Sequence, residues 1–383
     1  MLSLNLNDLV HCYNDTLAST LDRHAPLITK SVTKRPIVPW FIYKIKAAKL
    51  ERRRAERKWK KTKLECDLLV YKAKKNLATF EMKKARKEYY TNFIQDNSHD
   101  PRKLFRSAKT LFSYKSELNF QGYYDNNQLA NNIGDFFVQK IEVNRAKLNA
   151  AAPNFSTSDK FHLTDSVSPT SCFDSFHLVT EDDVRTLISK SNKKSCSQDP
   201  MPTQIVVECL DVLLPALTKM INLSLESGCF PDSWKHANVC PRLKKPKAEA
   251  NFPNLRPISN LTFVSKLTER SVFNQTHNHL TLNCLYPKAQ SSYREFHSTE
   301  TALLRIKNDI LMNINKQHLT LLVLLDLSAA FDTVDHVILL NRLNSNFGIS
   351  GRVLSWFRSY LHNRSQSVSV NGETSRPFDV KHG

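Results

Sequence analysis

Glycine is scarce, at seven of 383 residues. None falls in a G-x-G-x-x-G or G-x-x-x-x-G-K arrangement, so dinucleotide-binding and P-loop readings lose the backbone cradle they need. Eight cysteines, at positions 12, 66, 172, 196, 209, 229, 240 and 284, form no C-x-x-C pair and keep no regular spacing. That argues against a zinc ribbon or a disulfide framework and leaves reduced thiols. Long apolar runs are also missing. Nothing approaches the roughly 20 residues that span a bilayer, and "MLSLNLNDLV" lacks the basic start and apolar core of a signal peptide. The expected setting is intracellular, nucleus or cytoplasm, with no membrane. Acids are few, 36 against 55 Lys and Arg, for a formal charge of +19. This favours a polyanionic partner such as nucleic acid, with an anionic membrane surface as the rival.

What is present is enough hydrophobic residue, 41%, to build two or three domains. Residues 40–100 contain neither Pro nor Gly and read as helix bordered by Pro39 and Pro101. Residues 44–88 hold 18 Lys or Arg and six acids, a net +12, with a thin apolar stripe of Trp59, Leu64, Leu68 and Tyr71. Two readings stand: a solvated helical hairpin, or an arm that tracks phosphates. Residues 1–110 are therefore expected to form a basic helical connector, and residues 111–178 a linker with one helix, "IGDFFVQKIEVNRAKL". Thr180 with Asp183 starts the next helix in the manner of a capping box, and makes Asp182 and Asp183 helix-start acids rather than catalysts. Gly228 should close the helix "LLPALTKMINLSLES", "ANVCPRLKKP" reads as a strand, and Ser298 as an N-cap. Asn371-Gly372 predicts a type I′ hairpin turn.

In "LLVLLDLSAAFDTVDH" five aliphatic residues, 321–325, predict a strand buried on both faces. A helix should follow, from an N-cap at Ser328 to a C-cap at Gly348, with Phe331, Val334, Ile338 and Leu343 on one face. Asp326 then sits where a core strand ends. Buried acids are costly unless paired, hydrogen-bonded or holding a metal ion, so Asp326 either caps the helix or binds cations.

In order, "GCFPDSWKHANVCPRLKKP", "NLRPISNLTFVSKLTER", "QSSYREFHSTETAL", "LLVLLDLSAAFDTVDH" and "FGISGRVLSWFRSYLHNRSQSVSVNG" resemble the reverse transcriptase of non-LTR, jockey-like retrotransposons. The basic helices, with "HAPLITKSVTKRPIVPWF" before them, resemble the connector between endonuclease and polymerase in such elements. The resemblance implies an α+β fold, a partial right-hand polymerase with fingers over residues 179–320 and an incomplete palm over 321–383. It implies an RNA-directed DNA polymerase acting on an RNA template, a DNA primer and deoxynucleoside triphosphates. Asp326, with the carbonyl of Leu327, would hold two Mg2+ ions. The amides of Ala329 and Ala330 would face the triphosphate. Phe331 would lie under the incoming sugar, or else pack in the core. Lys244, Lys245 and Arg256 would close on the phosphates, against a bland reading as surface charges. Gln290 and Arg294 would lie against template and primer, with His297 a helix-start hydrogen-bonder.

Departures from the family pattern set further expectations. Phe296 replaces a Gly before "HST", where a positive φ would be strained, and Leu255 replaces a Tyr. The sequence reaches "DVKHG" about one residue into the box that continues "VPQGS" in such enzymes, so the aromatic-x-Asp-Asp hairpin is expected to be absent and the region inactive alone. The alternative from another class is a non-catalytic nucleic-acid-binding protein derived from a retrotransposon.

Overall fold

The structure is a computed structural model that describes residues 5–28, 38–101, 103–105, 120, 122–151, 171–245, 248–326 and 330–383. It divides into two compact units, one made of Met1–Leu27 with Asn119–Gly383, the other of Ile28–Leu118.

In the smaller unit, helices α2 (Tyr43–Thr62) and α3 (Glu65–Asp96) pack against each other as the hairpin the sequence predicted. Lys63, in the left-handed region at φ 58°, makes the turn. Just after it, Asp67 is buried, accepting from the Thr62 hydroxyl at 2.7 Å and pairing with Lys58 at 2.9 Å. Trp59 and Tyr71 stack across the hairpin with centroids 5.7 Å apart. Two of the four residues of the apolar stripe thus meet.

The larger unit contains helix α1 (Leu6–His24), followed by α4 (Asn126–Ala151), α5 (Glu181–Lys190), α6 (Thr203–Glu208) and α7 (Leu210–Ser227). Strands β1 (His236–Leu243) and β2 (Leu255–Asn260) precede helices α8 (Phe263–Leu282), α9 (Thr299–Asn315), α10 (His336–Phe347) and α11 (Gly351–Leu361). Strands β3 (Arg364–Val370), β4 (Glu373–Thr374) and β5 (Phe378–Val380) complete the described elements. The mixture of helices with a sheet is the α+β class expected.

Its core is centred on α7, whose Leu214, Leu217, Met220, Ile221 and Leu225 are buried. Val10, Tyr13 and Leu17, at spacings of three and four, put one face of α1 into this core. The expected connector over residues 1–110 therefore does not hold together: its first helix belongs with the larger unit, because that apolar face finds its partner there. Trp356 of α11 fills the centre, its ring N–H donating to the Ser224 hydroxyl at 3.0 Å. Phe230 and Tyr360 close around it, at 5.5 and 5.1 Å between centroids. Gly228 ends α7 at φ 64°, and a Cβ there would come within 2.9 Å of the Arg352 carbonyl oxygen.

The sheet runs β2-β1-β3-β4, with β5 pairing to β3. β1 lies antiparallel to β2 and parallel to β3, so the sheet joins segments from both sides of residue 320. Helix α4 covers β3 and β4, burying Leu129, Ala130, Ile133 and Phe137. What reads as a linker with one helix is thus, over 126–151, a docked layer of the fold. Residues 255–260 form a strand because β1 offers them a complete ladder. The capping box at Thr180, the N-cap at Ser298 and the Asn371-Gly372 turn, at φ 51° and 95°, form as expected, and Ser298 adds a box with Thr301.

The run at 321–325 differs most from expectation. It pairs with no described strand, and Leu321, Val323 and Leu325 are 89, 64 and 89% exposed. β-branched and aliphatic side chains make a strand only where a ladder and a covering layer receive them, and the described residues supply neither. Helix α10 begins at His336, not after Ser328, because Asp335 takes the N-cap by accepting from the amides of Val337 and Ile338 at 2.9 and 3.1 Å. Gly348 ends it at φ 66°, as expected.

Candidate functional site

The basic blade formed by β1 and β2 carries the first group of site residues. Register sets Arg242 directly opposite Arg256, both exposed on one face of the sheet. Lys244 continues the ladder with its amide donating to the Asn254 carbonyl at 2.8 Å, while its ammonium donates to the Pro253 carbonyl at 2.6 Å. The return between the strands is shaped by Asn251, whose side chain accepts from the Asn254 amide at 3.1 Å. Leu255, where the family pattern has Tyr, is buried and anchors the strand beneath Arg256. Among the described residues none of Arg242, Lys244, Lys245 or Arg256 has an acid within the 4.0 Å of an ion pair. Like charges set opposite each other cost about 0.2–1 kcal/mol, and an anion between them removes that cost. Arg242 escaped the sequence reading, since only the register reveals that it faces Arg256.

The second group lies in the loop before α9. Arg294 donates to the Gln290 carbonyl at 3.2 Å, and its guanidinium stands 5.3 Å from the centre of the Tyr286 ring. Gln290 donates to the Ser292 carbonyl at 3.1 Å. The two residues expected against template and primer are thus brought together. Tyr293 and Phe296 adopt φ of 60° and 61°, so Phe296 does occupy the left-handed position that a glycine would fill without strain. It is 92% exposed. Phe331 meets Tyr293 edge-on at 6.3 Å and is 69% exposed, which places it off the expected apolar stripe of the helix.

Asp326 is exposed and outside any strand, so the expectation of a buried carboxylate is not met. Leu327, Ser328 and Ala329 lie outside the described residues. Ala330 sits in a turn before α10, not at a helix start, because Asp335 moves the cap further along. Among the described residues no three His, Cys, Asp or Glu converge as metal ligands. Two divalent ions about 4 Å apart need several anionic oxygens against their mutual repulsion, and among the described residues Asp326 is not joined by enough of them to make up a two-ion Mg2+ site.

A further acid, Glu269 of α8, was not singled out by the sequence. Burial pushes its carboxyl above the usual range, and the Tyr360 hydroxyl with the Arg364 and Lys266 charges holds that rise back. Its Oε1 is buried without a partner. Among the described residues no helix is long and apolar enough to cross a membrane.

Residues 243–383 match the family described as reverse transcriptase (RNA-dependent DNA polymerase). The chain is 29% identical over 198 residues to an RNA-directed DNA polymerase from mobile element jockey of Drosophila melanogaster, covering 51% of this chain and 21% of that one. It is 30% identical over 167 residues to a probable RNA-directed DNA polymerase from transposon BS of the same species, covering 44% of this chain and 18% of that one. A jockey polymerase from Drosophila funebris is 29% identical over 195 residues. Each match covers only about a fifth of the relative's length. Residues 243–383 are therefore similar to reverse transcriptases, and the relatives matched are polymerases of mobile elements.

Proposed function

We propose that the chain supplies the nucleotide-binding part of an RNA-directed DNA polymerase, which copies an RNA template from a DNA primer using deoxynucleoside triphosphates. The observation that carries this reading is the opposed pair Arg242 and Arg256, flanked by Lys244 and Lys245. Two guanidiniums held side by side on a rigid ladder offer parallel N–H donors to phosphate oxygens, and Lys adds a point charge. In this reading β1 and β2 belong to the fingers. Asp326 supplies one carboxylate of the catalytic centre and not the whole of it, Phe331 limits the space under the sugar, and Gln290 with Arg294 contacts template or primer. Photolabelling with a radioactive deoxythymidine triphosphate tests it. Label should map to residues 242–256, be displaced by unlabelled triphosphate, and fall about tenfold or more in Arg256→Ala, as for loss of a charged hydrogen bond. Label that maps elsewhere, or is unchanged in the variant, would overturn the reading.

One observation favours a second reading. Asp326 is exposed and joins no metal-ligand cluster among the described residues, which fits a nucleic-acid-binding protein that performs no polymerase chemistry. Template-dependent extension by the purified 383-residue chain, lost in Asp326→Asn, would rule that second reading out.

A further inference from the structure

Helix α4 carries an arginine that the sequence did not single out. Arg145 reaches across 190 residues of sequence to Asp335, one terminal nitrogen donating to Oδ2 at 2.9 Å. The other terminal nitrogen donates to the Thr333 carbonyl at 3.4 Å. Both side chains of the pair are largely withdrawn from solvent, at 20 and 25% exposure. Asp335 serves twice, because its Oδ1 also accepts from the amides of Val337 and Ile338 and so starts α10. The Ile338 amide first, then the Val337 amide and the Arg145 charge, hold the Asp335 carboxyl below its usual range.

This clamp closes on the turn that carries Phe331. The Phe331 carbonyl accepts from the Val334 amide at 3.3 Å, so the acceptors that Arg145 fills lie within and just beyond the same turn. The Val334 carbonyl accepts from the Gly383 amide at 3.1 Å, and the Phe331 ring meets Tyr293 edge-on. The other half of α4 is locked to the sheet. Asn127 donates to the Thr374 carbonyl at 2.8 Å, Asn131 accepts from the Arg376 amide at 2.9 Å, and Asp135 pairs with the Arg376 guanidinium. Gly134 lies against the Phe378 ring with no room for a Cβ. Helix α4 therefore runs from β3, β4 and β5, in the sheet that also holds Arg242 and Arg256, to the turn of Phe331.

An ion pair withdrawn from water is a weak stabiliser, because desolvation offsets its attraction, and here the Arg145 Nε stays buried with no hydrogen-bond partner among the described residues. What the planar fork supplies is direction. It meets acceptors on two different residues and so fixes both the turn and the helix start, where a Lys would act as a single point charge. We infer that Arg145 is a positioning residue, which through Thr333 and Asp335 holds the Phe331 ring at a set place relative to the sheet carrying Arg242 and Arg256, and thereby governs the choice between deoxyribose and ribose. This rests on the polymerase reading, in which Phe331 limits the space under the sugar, and carries it to a helix that the sequence placed in a linker.

The test uses the full chain, photolabelled in parallel with deoxythymidine triphosphate and with ribothymidine triphosphate. The ratio of the two labels on residues 242–256 is read, since a ratio cancels any loss of folded protein. In the unaltered chain deoxy label should exceed ribo label about tenfold or more, the worth of one excluded group in a fitted pocket. In Arg145→Met, which keeps an apolar stem and loses the fork, the ratio should fall toward one while label still maps to residues 242–256. Asp335→Asn keeps an oxygen to cap α10 and loses the charge, so it should act likewise, and it repeats the test if Arg145→Met melts early. Arg145→Lys, which restores the charge and can meet one acceptor, should recover part of the ratio. Hydrogen exchange over residues 331–338 should quicken in Arg145→Met and Asp335→Asn. A ratio near one in the unaltered chain, or a ratio that survives in both variants, would overturn the proposal even where exchange quickens, because the clamp would then be structural only. Arg256→Ala separates the two claims. Label on residues 242–256 that is lost in Arg256→Ala, with a sugar ratio indifferent to Arg145, sinks the positioning role alone, whereas label that maps elsewhere sinks the nucleotide reading itself.

Discussion

Arg242 and Arg256 sit directly opposite each other across the β1–β2 ladder, exposed on one face, with no acid between them. A surface selected only for stability would separate or neutralise such a pair. Each single replacement, Arg242→Ala or Arg256→Ala, is therefore expected to stabilise the chain by about 0.2–1 kcal/mol while weakening triphosphate binding. Thermal melting and nucleotide photolabelling, run side by side, check both directions at once. The stability gain should shrink at high salt, where the repulsion is already screened. A variant that loses stability together with binding would mean the arginines hold the hairpin rather than a ligand.

Phe296 shows the same conflict in backbone form. Its φ of 61° is one that a bulky side chain adopts at a cost, and its ring is 92% exposed, so little packing offsets the strain. Phe296→Gly should raise stability by about 1 kcal/mol, read as a higher midpoint in urea. A fall in the midpoint would show that the ring contributes contacts which outweigh the backbone term.

These two sites mark what the sequence conveys and what it does not. Local signals were legible because each is complete within a few residues: the box at Thr180, the N-cap at Ser298, Gly228 and Gly348 as C-caps, Asn371-Gly372 as a turn, and the Lys- and Arg-rich hairpin. Phe296 was legible only in part: its place before "HST" marks a left-handed position, but the ring was expected not to tolerate a positive φ, and it adopts 61°. Relationships between elements were hidden. Arg242 looks like one more surface charge until register puts Arg256 opposite it, and α1 looks like part of the connector until Val10, Tyr13 and Leu17 meet α7. The run at 321–325 misled because aliphatic composition reports a wish for burial, not the existence of a layer that grants it. Asp326 inherited that error, as its expected burial depended on the strand.

Glu269 yields a pH-dependent prediction. Its folded-state pKa is raised by burial above the unfolded value, so between the two values the folded chain binds the extra proton. Stability is then fully present below the unfolded pKa and is lost as pH rises through the folded one. Glu269→Gln removes the ionisation and should raise the melting temperature more at pH 7 than at pH 4. A variant whose shift is the same at both values would indicate that the carboxylate is neutralised by Arg364 and Lys266 and costs nothing when charged.

The α2–α3 hairpin gives the last prediction, which separates a phosphate-tracking arm from a solvated surface. Arg53, Arg57 and Lys61 recur every four residues along α2, all exposed and without an ion-pair partner within 4.0 Å among the described residues. By contrast Lys58, Lys60 and Lys74 are engaged with Asp67, Glu56 and Glu51. If the free row contacts phosphates, each contact releases a counterion, and the logarithm of affinity falls with the logarithm of salt by about 0.7 per contact on a single strand. Replacing all three with Gln should weaken RNA binding at low salt and flatten that slope by about 2. The fold should survive, since the substituted side chains are exposed and Gln is a good helix former. Lys58 and the Trp59–Tyr71 stack that close the hairpin are left intact. A titration from low to physiological salt on the intact chain reads both effects. An unchanged slope would mean that the hairpin's charge is only solvated, and that RNA is held by the larger unit alone.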